Sequence, residues 1–269
     1  MDINEKLQNL KENIKSLNSA VITFSAGVDS TLLLKIASEV LDDKVLAVTV
    51  NLNSFPEREL NEAINFCQQL SIRHRIIDFD EFSVEGFAKN PVNRCYLCKK
   101  ALFSKIREIA EENNIKNILE GSNTDDTKDY RPGFQAVKEL KIISPFLEVG
   151  LSKKEIRFLS KEYGLSVWEK PSFACLASRF PYGDEITKEK LSMVEKSEQL
   201  LFDLGFTQFR VRIHGSIARI EVFEKEFDKL LQNRQTITEK LKTYGFEFVT
   251  MDLSGYKTGS LNTNVLQYP

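Results

Sequence analysis

Between a short β-forming run and an apolar stretch, the chain reads SAGVDST, from Ser25 to Thr31. A strand that enters a helix through such a bend leaves the first helical N–H groups without partners. The helix dipole adds partial positive charge there, and the two together make an anion site. Small residues such as Gly27 let a phosphate approach the backbone, and Ser25, Ser30 and Thr31 supply hydroxyl donors. Ala26 carries a methyl group, which asks for an ordinary backbone conformation. Asp29 is the odd member, because a carboxylate repels phosphates unless it caps the helix or holds a Mg²⁺ that bridges to them. A plain capped βα turn has the same composition. A Walker loop is excluded, since no G-x-x-x-x-G-K-[ST] is present.

The four cysteines are a second chemical resource. Cys95 and Cys98 form a C-x-x-C at the start of a helix, where the dipole favours thiolate. They suit a redox pair or half of a zinc site. A complete zinc site needs further Cys or His ligands, and His74 and His214, the only histidines, do not flank them in a ligand pattern. Cys175 lies much further along, in a segment rich in proline and glycine. Cys67, within AINFCQQL, reads as a small core residue on a helix face.

Arginines and carboxylates form the third set. In FRVRIHGSIARIEV, two-residue periodicity puts Arg210, Arg212 and His214 on one strand face. A Gly215-Ser216 turn of type II′ then sets Arg212 opposite Arg219 and Arg210 opposite Glu221. Opposed arginines are unfavourable unless an anion lies between them, so a substrate phosphate suits that place. A solvated face with splayed arginines is the plain alternative. Arg179, near Cys175, is another phosphate candidate. Asp125 and Asp126 follow an apolar strand and could hold Mg²⁺ or the nucleoside, or serve turn chemistry. Glu198 and Glu221 are weaker metal candidates. Trp168 could stack on a flat cation or anchor a core.

The elements that must hold these residues alternate in the first half. Strands around Val21–Phe24, Lys44–Asn51, RHRIIDF and KNILEGS are separated by amphipathic helices, which predicts a parallel sheet with helices on both faces. The second half reads α-β-β-α-β, with helices expected over Lys188–Leu204 and Lys225–Tyr244, and forms a smaller α+β domain. The expected division is 1–168 and 169–269, at a cluster of Pro171, Pro181 and Gly183.

Among its 269 residues, 42% are hydrophobic and 28% charged, with a net charge of −2. That balance supports a folded core and gives no basic excess of the kind that coats nucleic acid. No apolar run reaches the ~18 residues of a membrane span, and the N-terminus is too polar for a signal peptide. A cytoplasmic protein is expected, without nucleic-acid or membrane partners, whose cysteines are ligands, catalytic thiols or core residues.

SAGVDST resembles the S-G-G-x-D-S pyrophosphate loop (PP-loop) of the N-type ATP pyrophosphatases. NSFPEREL, NPVNRCYLCKKALF, EGSNTDDTKDYRPGFQAV, SPFLEVGLSKKEIR and KPSFACLASRFPYGDEIT follow in order, then VRIHGSIARIEV and FVTMDLSGYKTGSLN. Together they resemble the LarE family of ATP-dependent sulfur transferases in nickel-pincer nucleotide synthesis. The resemblance implies an adenine nucleotide alpha hydrolase-like fold. It also implies adenylylation of a carboxylate of a pyridinium-3,5-dicarboxylate mononucleotide, with sulfur then displacing AMP. Ser25, Gly27, Asp29, Ser30 and Thr31 would bind ATP with Mg²⁺, and Arg179, Arg210 and Arg212 the substrate phosphate. Some family members give up the sulfur of the later cysteine, here Cys175. Others carry three cysteines, here Cys95, Cys98 and Cys175, which would hold a [4Fe-4S] cluster with one iron left open for sulfide. Sulfide or a sulfur donor is then a partner, and a homo-oligomer is expected. A tRNA thiolase would share the activation chemistry, and a non-enzymatic ATP-binding or redox-sensing module would need only the loop and the cysteines.

Overall fold

The computed structural model describes residues 2–128, 132–257 and 259. The chain divides into two compact units: residues 1–84 with 93–173, and residues 85–92 with 174–269.

The first unit runs α1 (Ile3–Ser16), β1 (Ala20–Thr23), α2 (Val28–Leu41), β2 (Val45–Asn51), α3 (Glu57–Gln69) and β3 (Arg73–Asp78). It continues through α4 (Arg94–Glu112), β4 (Asn117–Leu119), α5 (Gly133–Glu139), α6 (Pro145–Glu148) and α7 (Lys153–Glu162). The strands form one parallel sheet in the order β3-β2-β1-β4. Alternation of side chains divides its core. Ala20, Ile22, Val45 and Ala47 pack towards α1, α2, α3 and α7. Val21, Leu46 and Val48 pack towards α4 and α5. Each fully buried Leu or Ile contributes about 1.5–3 kcal/mol, so this two-sided core fixes the strand register. Cys67 sits in the first cluster at 1% exposure, as its helical position implied.

The order reverses between β1 and β4, because β2 and β3 extend the sheet to one side of β1 and β4 lies on the other. Ligands of open α/β sheets bind beyond the carboxyl ends of the strands at such a switch point. The Ser25–Gly27 bend and the turn after β4 both lie there.

The second unit holds α8 (Lys188–Asp203), β5 (Phe209–His214), β6 (Ile217–Val222), α9 (Phe227–Gln232), α10 (Arg234–Thr243) and β7 (Phe248–Met251). β5 and β6 pair antiparallel and β7 joins β6 in parallel. The hairpin has the expected register, Arg212 opposite Arg219 and Arg210 opposite Glu221. Gly215 takes φ +59° in its turn. The single helix expected over Lys225–Tyr244 is instead two, parted at Asn233. Its side-chain amide donates to the Lys229 carbonyl at 2.8 Å, a local bond that competes with the helical ladder. Residues 85–92 join this unit through Asn90, whose amide reaches the Pro181 carbonyl at 2.6 Å, and through Ile186 N–H to the Ala88 carbonyl at 2.8 Å. Among the described residues, no helix is long and apolar enough to cross a membrane.

Candidate active site

Gly27 is the N-cap of α2 and offers no side-chain cap, so the first amides of the helix are left for another acceptor. Ser30 folds back over the bend. Its hydroxyl lies 3.2 Å from Ser25 Oγ and donates to the Gly27 carbonyl at 3.3 Å. Thr31 Oγ1 is buried and has no hydrogen-bond partner among the described residues. Such an orphan is costly unless a ligand satisfies it. A methyl group added at Gly121 would lie 3.0 Å from Asp29 Cβ and 3.2 Å from Ser30 N. The turn after β4 therefore approaches the loop as closely as glycine allows. These features suit a bound polyphosphate.

Ala26 differs from expectation. Its φ is +52°, in the left-handed region, although it carries a side chain. Its carbonyl accepts a hydrogen bond from the Lys170 ammonium at 3.1 Å.

Asp29 faces two partners that the sequence did not announce. Asn123 Nδ2 donates to its Oδ1 at 3.2 Å, and the Lys153 ammonium makes a short ion pair with its Oδ2. Lys153 is the first residue of α7. Ser152 and Glu155 form a capping box there, and the pattern SKKE within SPFLEVGLSKKEIR carries its signature. That pattern was the available signal for Lys153, but it gives no destination for the side chain. Burial opposes ionisation of Glu155, yet hydrogen bonds from Lys6 and Ser152 outweigh it and hold the carboxyl at about 2.

Asp125 and Asp126, candidates for Mg²⁺, nucleoside contacts or turn chemistry, each accept a backbone N–H. Asp125 Oδ2 accepts the Lys153 N–H at 2.8 Å and Asp126 Oδ2 accepts the Asn123 N–H at 2.9 Å. Asp125 thereby helps to aim the start of α7 at Asp29.

Arg179, Arg212 and Arg219 of the second unit are engaged with carboxylates. Arg179, 0% exposed, donates to both oxygens of Glu198 at 2.8 and 2.7 Å. It also holds the Ala174 and Cys175 carbonyls at 2.7 and 3.2 Å. Glu198 further accepts the Val211 N–H at 2.9 Å. Burial opposes its charge, but Arg179 prevails and lowers its pKa. Arg212 pairs with Glu221 at 3.0 and 3.1 Å, and Arg219 reaches the same carboxylate at 2.9 Å. The negative charge between the opposed arginines is thus the protein's own. Glu198 and Glu221, considered as metal ligands, are ion-pair partners. Arg210 stacks over the Tyr256 ring at 5.2 Å and donates to the Phe209 carbonyl at 2.6 Å. Burial and the nearby Arg179 pull its pKa down to about 10. Trp168 lies under the Lys161 ammonium at 4.6 Å.

Three thiols lie outside the core. Cys95 and Cys175 are exposed and Cys98 is half-buried. Cys95 and Cys98 lie in the first turns of α4, in the first unit, and Cys175 belongs to the second. Burial pushes the Cys67 thiol up to about 12, leaving it inert. Among the described residues, no three His, Cys, Asp or Glu side chains gather as a metal site.

The parallel sheet, with a helix that lacks a side-chain cap at its switch point, defines an ATP-pyrophosphatase-type α/β enzyme, adenine nucleotide alpha hydrolase-like in fold. A family model described as NAD synthase matches residues 2–110. The chain is 35% identical to the pyridinium-3,5-bisthiocarboxylic acid mononucleotide synthase of Lactiplantibacillus plantarum, over 93% of this chain and 91% of that protein. It is 39% identical to an uncharacterised Synechocystis protein over 97% and 98% of the two lengths. With an uncharacterised protein of Methanocaldococcus jannaschii it shares 32% identity, over 93% of this chain and 95% of the relative. The chain belongs to the LarE-like family of pyridinium-3,5-bisthiocarboxylic acid mononucleotide synthases, which use ATP.

Proposed function

We propose that this protein activates a carboxylate of a pyridinium-3,5-dicarboxylate mononucleotide with ATP and exchanges the activated oxygen for sulfur. The observation that carries the reading is the Asp29–Lys153 pair beside the uncapped start of α2, at the β1/β4 switch point. A carboxylate has a poor leaving group. Its oxygen attacks the α-phosphorus of ATP, the bond to the β-phosphate breaks, and pyrophosphate leaves. Sulfide then attacks the carbonyl carbon of the mixed anhydride and loses its proton, and AMP departs with the C–O electron pair. Backbone amides of α2, Ser25, Ser30 and Thr31 bind the departing pyrophosphate. Lys153 neutralises its charge, and Asp29 is the residue that would hold a Mg²⁺, which would supply further charge neutralisation there.

Arg210 is the favoured contact for the substrate phosphate. Its charge is disfavoured by burial and by Arg179, and an arriving anion relieves both. Arg212 borders the same strand face and shapes it through Glu221.

For sulfur delivery we propose that Cys95, Cys98 and Cys175 hold a [4Fe-4S] cluster, which would supply an open iron position for sulfide. Support comes from the donor set, three thiols outside the core against one inert thiol within it. In the alternative, Cys175 sulfur attacks the anhydride itself. Its Cβ–S bond then breaks as the Cα proton leaves, and dehydroalanine remains.

Asp29→Ala tests the activation step. Loss of one electrostatic contact to a transition state costs about 10²–10³ in rate, so pyrophosphate release should fall by that amount while the melting temperature holds. Undiminished release contradicts the assignment.

A further inference from the structure

We propose that Lys170 is a positioning residue for the pyrophosphate loop, which it holds in a left-handed backbone conformation through the Ala26 carbonyl. The proposal rests on the reading of that loop as the ATP site. Ala26 is 2% exposed and adopts φ +52°, a region that a residue with a Cβ resists and glycine enters freely. Something must hold it there.

Lys170 comes from a segment 144 residues away and is only 12% exposed at its side chain. An ammonium has three N–H donors, and Lys170 has three acceptors: the Ala26 carbonyl at 3.1 Å, Glu59 at 2.7 Å and Glu62 at 2.6 Å. Its direction is therefore fixed at the tip. The base is fixed too, because Arg157 donates to the Lys170 carbonyl at 2.8 Å and also grips the Trp168 carbonyl. Arg58 lies over the ring of Phe173 at 4.8 Å and holds the same segment further on.

The consequence for phosphate binding is geometric. In a trans peptide the carbonyl and the following N–H point in opposite directions. By drawing the Ala26 carbonyl to itself, Lys170 turns the Gly27 N–H the other way. That orients the last amide before α2, at a bend whose donors must point together to hold an anion.

The test is a rescue. Lys170→Met alone strands the buried Glu59 carboxylate, so it is combined with Glu59→Gln. MgATP affinity is measured by calorimetry for the full chain, for K170M/E59Q and for K170M/E59Q/A26G. The double variant should bind MgATP about tenfold more weakly, the scale set by a left-handed alanine. Glycine at position 26 should recover most of that loss, since it holds the conformation unaided. Undiminished affinity in the double variant overturns the proposal. So does a loss that A26G fails to restore, which would make Lys170 an ion pair of the fold alone. A wild-type chain that ignores MgATP would overturn the loop reading and this proposal together, and is told apart by the first titration.

Discussion

Arg179 is the largest fully buried side chain among the described residues, and its charge is tolerable only because Glu198 meets it with both oxygens. Removing one partner of a buried pair costs about 3–5 kcal/mol, whereas replacing both by apolar groups is often nearly neutral. Arg179→Met should therefore destabilise the chain by that amount in urea unfolding, and R179M/E198L should recover most of it. Equal losses in both variants would contradict the account of the pair. At this scale the sequence was half legible. Periodicity placed Arg210 and Arg212 on one face and gave their cross-strand partners. It could not show that Glu221 lies between Arg212 and Arg219, or that Glu198 closes on Arg179 from α8, because a buried pair and a ligand-binding arginine have the same local pattern. Cys67 was legible because its helical phase already placed it in the core. Ala26 was not, since the group that holds it lies 144 residues away.

At the level of elements, α7 links the fold to the site. Its capping box fixes the first turn, and Lys153 projects from that turn to Asp29. Ser152→Ala should cost about 1 kcal/mol, the usual effect of losing a cap, and should also raise the KM for ATP. A stability loss with unchanged KM would separate Lys153 from ATP binding. The same cap predicts a pH dependence. The Glu155 carboxyl titrates at about 2 in the folded chain against an ordinary 4.5. A lowered folded value contributes stability above the unfolded value, and that contribution is lost as pH falls from 4.5 towards 2. The Glu155→Gln variant should therefore show a weaker acid dependence of unfolding between these limits, and an identical dependence would contradict the cap's role. The alternation of helices and strands was legible, whereas the strand order that puts the pyrophosphate loop at a switch point was not. The break at Asn233 was not, because helical periodicity continues through it, and so do the backbone bonds from Asn233 to Lys229 and from Ile237 to Asn233.

For the whole molecule, the question is how sulfur reaches the activated carboxylate. The resemblance and the count of accessible thiols favour a cluster. Anaerobic purification should then yield iron and sulfide with Cys67→Ala unaffected, whereas Cys95→Ala, Cys98→Ala and Cys175→Ala should each lose them. A mass decrease of about 34 Da at Cys175 after turnover, the loss of H₂S from a cysteine, would support the sacrificial route instead. Both routes need the same first step, and the most direct test addresses that step. The purified chain is incubated with MgATP, with and without the pyridinium-3,5-dicarboxylate mononucleotide, and its products are followed. The account predicts that pyrophosphate and AMP-bound acceptor form together, and only when the acceptor is present. Release of ADP and phosphate, or cleavage of ATP that ignores the acceptor, would contradict it.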